Sequence, residues 1–67
     1  MRKSDFSADE LDTYVNIMAV IGDMSPGRVR AMYMVSSGIV RELIAMAIKD
    51  SISAGNRELK LEFPLVD

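Results

Sequence analysis

Cysteine and histidine are both missing from this 67-residue chain. Their absence removes two reinforcements, the disulfide and the structural metal, on which domains of this size often rely. So short a chain buries only about 60% of the surface its unfolded form exposes, and its core supplies roughly 3–5 kcal/mol. Hydrophobic residues make up 49% and charged residues 27%, the balance of a folded chain rather than a disordered one. Association is the reinforcement that remains. The fold is therefore expected to be completed by dimerisation or by a larger self-assembly.

The strongest local signal is Phe6-Ser7-Ala8-Asp9-Glu10-Leu11. Ser7 can cap a helix, Glu10 completes a capping box three residues later, and Phe6 can staple onto Leu11. The helix expected over about 8–23 places Leu11, Tyr14, Val15, Met18 and Ile21 on one face, with Asp9, Asp12, Asn16 and Asp23 opposite. Ser25-Pro26 then opens a second helix, because proline suits the first helical position and keeps the preceding residue out of helical geometry. That helix is expected over about 26–54 and stops at Gly55-Asn56. Its broad apolar face carries Val29, Met32, Tyr33, Ile39, Val40, Leu43, Ile44, Met46 and Ala47. Ser36-Ser37-Gly38 is its weak point, since glycine and serine both disfavour helix interiors, and the sequence leaves a kink or a full break open there. Unbroken, it would be about 28 residues and roughly 42 Å long against roughly 25 Å for the first helix, so neither could cover the other.

Glu58-Leu59-Lys60-Leu61-Glu62-Phe63 alternates polar and apolar side chains up to Pro64, the period of a half-buried strand over about 58–63. A lone strand leaves its edges unpaired, so it is expected to pair with its counterpart in a second copy or with the sheet of a target. The fold class read from these signals is mainly α: a single domain over residues 1–67, built as a helical hairpin with a short C-terminal strand.

No set of residues forms recognisable catalytic machinery, and Gly22, Gly27, Gly38 and Gly55 stand singly rather than in a phosphate-binding loop. No enzyme activity, cofactor or metal is expected. The acidic strip Asp9, Asp12, Asn16 and Asp23 reads as a solvated face, because ligands on one helix face diverge instead of converging on a cation. The longest uncharged runs, Thr13 to Gly22 and Ala31 to Val40, have ten residues each, half of what a membrane span needs. With no apolar segment directly after Met1-Arg2-Lys3-Ser4-Asp5 to act as a secretory signal, a cytoplasmic protein is expected.

Charge is unevenly spread: residues 1–24 sum to −3, residues 25–57 to +3 and residues 58–67 to −2. The basic segment holds Arg28, Arg30, Arg41 and Lys49, and Met34 lies beside Arg30 and Arg41 on its polar side. Five of the six methionines are internal, and methionine adapts readily to partner surfaces. These features lead to a non-enzymatic homodimeric protein that binds another protein and inhibits or regulates it, of the kind phages and mobile elements encode. Its dimer or partner interface is expected to draw on Met32, Ile39, Leu43, Met46, Leu59, Leu61 and Phe63, with polar contacts from Arg30, Met34 and Arg41. The alternative is a small dimeric DNA-binding regulator using the basic side of the second helix. The net charge of −2 disfavours it, because phosphate neutralisation supplies most non-specific affinity.

Overall fold

The computed structural model describes residues 6–66; the basic stretch Met1 to Asp5 lies outside them, as does Asp67. The chain is mainly α-helical, with four helices: α1 (Ala8–Asp23), α2 (Pro26–Val35), α3 (Gly38–Ser53) and α4 (Arg57–Glu62). No strand occurs among the described residues.

α1 begins at the capping box. The Ser7 Oγ accepts from the Glu10 amide at 3.2 Å, and the Glu10 carboxylate accepts from the Ser7 amide at 2.8 Å. Phe6 is buried in the core, while Leu11 is 38% exposed. The buried stripe of α1 is Tyr14 and Ile21, with Ile17 and Met18 packed beside them. It is narrower than the apolar arc, and Val15 is left 60% exposed. The reason is that α1 makes its main packing contact with one helix, α3, and a single neighbour covers only part of a helix surface.

The expected long second helix is two helices. Ser36 and Ser37 are extended, and Gly38 takes φ +61°. The Ser36 hydroxyl donates back to the Met32 carbonyl at 2.8 Å, and the Ser36 amide to the Tyr33 carbonyl at 3.3 Å. Serine thus offers the backbone partners that replace the next helical bonds, and glycine enters the left-handed region without steric cost. The break removes the length mismatch expected of an unbroken helix, because the chain folds back and closes its own core. Pro26 occupies the first turn of α2, with Ser25 at the cap position; the Ser25 carbonyl, not its side chain, accepts the first bonds.

Gly38 and Gly22 therefore give opposite expectations. A Cβ at either meets nothing within 4 Å, so backbone conformation alone decides. Gly38→Ala should destabilise by about 1–2 kcal/mol, whereas Gly22→Ala, inside α1, should stabilise by about 0.5–1 kcal/mol. Thermal melts followed by circular dichroism check the pair, at roughly 4–8 °C per kcal/mol for a chain of this size. A higher melting temperature for Gly38→Ala would show that the break is not held by glycine.

The tail read as a strand is α4. Asn56 caps it, its Oδ1 accepting from the Leu59 amide at 3.1 Å, and Gly55 at φ +106° turns the chain out of α3. Leu59 and Phe63 are spaced four apart, so they share a helix face as readily as a strand face. Only Leu61 separates the two readings, and it is 83% exposed while Leu59 is 1% exposed. α4 packs on α2 and α3. Leu59 joins Phe6, Tyr14, Ile21, Val29, Leu43, Ile44, Ala47 and Ile48 in the buried core, each large apolar member contributing roughly 1.5–3 kcal/mol through burial.

Candidate functional site

Beyond α4 the chain is held against its own helix. The Lys60 ammonium donates to the carbonyls of Pro64 at 3.2 Å and Val66 at 2.6 Å, a favourable place for a cation at a helix C-terminus. This wraps Phe63 to Val66 into one wall of a groove of about 440 Å³, whose other wall is Arg30, Tyr33 and Met34 of α2. Arg30 and Glu62 bridge the walls through an ion pair of 3.1 Å. It is solvent-exposed and worth no more than about 1 kcal/mol. Arg41 of α3 lies over the Tyr33 ring, 4.6 Å from its centroid, a distance at which the ring quadrupole attracts the guanidinium.

Arg30, Met34 and Arg41, the polar contacts expected from the sequence, are thus gathered around Tyr33. They do not gather as residues on one side of a continuous helix: the break at Ser36 to Gly38 puts Arg41 on another element, and the tyrosine brings it back. The expected interface residues divide by burial. Leu43 and Leu59 are inside the chain's own core, while Met32, Met46 and Phe63 are half-buried against it. Ile39 at 38% and Leu61 at 83% exposure reach the surface.

The sequence reading missed Leu65, 96% exposed, and Val35, 84% exposed. It also missed the link between Tyr14 and Asp50, in which the buried phenol of α1 donates to a carboxylate oxygen of α3. Nearby, the Ser51 hydroxyl donates to the Met18 sulfur at 3.6 Å.

Chemically, the groove is an apolar channel with a charged rim. Arg30 and Glu62 at that rim already satisfy each other. Among the described residues, no group of three or more acidic side chains is placed to hold a metal ion, and no helix is long and apolar enough to cross a membrane. Compared with known proteins, the chain matches no family model, no curated protein and no solved structure.

Proposed function

We propose that the chain is a small, non-enzymatic, cytoplasmic interaction protein that self-associates and binds another protein, inhibiting or regulating it. The observation that carries this reading is the apolar surface left after the core is complete. Val15, Met34, Val35, Leu61 and Leu65 are each at least 60% exposed, and Leu11, Val20, Ile39 and Val40 between 38% and 48%. Single exposed apolar residues need no explanation. Here Met34, Val35, Ile39 and Val40 bracket one helix junction, and Leu65 joins Met34 in one groove. Contiguous apolar surface of this kind, rimmed by charge, marks interaction sites.

Sedimentation at low micromolar concentration tests self-association: a species heavier than 7.4 kDa is expected, with a melting temperature that rises with concentration. Capture from the native host tests the target. A protein retained by the wild-type chain should be lost with Val35→Asp, a change at an exposed position that leaves helix content intact. A single 7.4 kDa species that retains nothing would overturn the reading.

A second reading, a dimeric DNA-binding regulator, draws on the break at Ser36 to Gly38, which separates α2 and α3 by a short turn as helix-turn-helix proteins do. Leu43, Ile44, Ala47 and Ile48 of α3 are buried, however, leaving few side chains to read base edges. Retention of duplex DNA is expected to be weak at about 150 mM salt and to collapse as salt rises. Tight, sequence-selective binding under those conditions would favour this second reading.

A further inference from the structure

Two exposed surfaces of the chain are apolar at their centres: one is flanked by acids, the other by Arg30, paired with Glu62, and by the neighbouring Arg41. On α1, Leu11 and Val15 lie one turn apart and exposed. At about 100° per residue, Asp12 flanks that strip, and Asp23 lies on the same flank about two turns beyond Val15, at the end of α1; both are exposed. On the groove, the exposed Met34 and Leu65 lie beside Arg30, whose side chain is 60% exposed, and Arg41 stands over Tyr33. The groove thus has the form that receives an acidic amphipathic helix, with an apolar floor for alternating turns and cations for the flanking carboxylates. The chain itself carries such a helix, and the charge of residues 1–24 (−3) mirrors that of residues 25–57 (+3).

We infer that a second copy of this chain occupies the groove, presenting the Leu11–Val15 strip of its α1 to Met34 and Leu65, with Asp12 and Asp23 facing Arg30 and Arg41. This rests on the reading of the chain as self-associating and names the surfaces that do it. An incoming carboxylate competes with Glu62 for Arg30, so the contact exchanges one ion pair for another while apolar area is buried. Made reciprocally, the contact closes a two-fold dimer; made once per copy, it continues head to tail.

Charge reversal tests the pairing. Variant one carries Arg30→Glu and Arg41→Glu; variant two carries Asp12→Lys and Asp23→Lys, leaving the first-turn acids of α1 in place. Each alone sets like charges against each other and should weaken self-association at least about a hundredfold. Mixed in equal amounts they present complementary rims at both contacts, and sedimentation should show association restored in the mixture only. Wild-type association should also weaken as salt rises. A wild-type chain that never associates overturns self-association itself. A wild type that associates together with variants that still do so alone, or a mixture that stays monomeric, overturns this pairing and leaves self-association standing. Circular dichroism confirms folding; if a double variant loses helix, the single replacements Arg30→Glu and Asp12→Lys carry the same test.

Discussion

Leu59→Ala is expected to destabilise the chain by about 2–5 kcal/mol, while Leu61→Ala, two residues away, should change stability by less than about 0.5 kcal/mol. Leu59 is 1% exposed and is the buried residue through which α4 joins the core. Its truncation removes transfer free energy and leaves a cavity where α4 meets α2 and α3. Leu61 is 83% exposed, so truncating it removes little from the protein interior. With roughly 3–5 kcal/mol of core-derived stability in a domain this size, the first variant should lose between about half of that margin and all of it, and the second should stay near wild type. Urea denaturation followed by circular dichroism on dilute samples measures both. Had residues 58–63 formed a strand, Leu59 and Leu61 would share one buried face and lose comparable amounts; comparable losses would therefore restore the strand and overturn α4.

Tyr14→Phe should cost roughly 1.5–3 kcal/mol, the range for a hydrogen bond to a charged group. The ring stays and keeps its packing, so the loss isolates the hydroxyl that reaches the Asp50 carboxylate across the α1–α3 contact. Tyr14 is 6% exposed and Asp50 half-buried, so water replaces the lost donor poorly. The urea midpoint should fall with little change in slope, because the surface exposed on unfolding is nearly unchanged. A double-mutant cycle with Asp50→Asn separates this link from other contacts of either residue. A coupling near zero would mean that α1 is held on α3 by apolar packing alone.

The sequence by itself determined where α1 starts and stops, where α2 starts and where α3 ends. Ser7 with Glu10 began α1, Pro26 began α2, Ser36-Ser37-Gly38 was legible as the weak point, and Gly55-Asn56 ended α3. These signals act through backbone hydrogen bonds and φ preferences within three or four residues, so no distant partner is needed to read them. Burial is different, because a side chain is buried only if another element arrives to cover it. The tertiary structure decided that Val15 stays exposed on a face that also carries Tyr14 and Ile21, since α3 covers one stripe of α1 and not the whole apolar arc. It decided between strand and helix at residues 58–63, where Leu59 and Phe63 fit both periods and only the covering of one leucine and not the other tells them apart. It also made the groove: Arg30 meets Glu62 thirty-two residues away and Arg41 meets Tyr33 across a break, contacts that depend on how the helices are stacked and leave no trace in the local pattern.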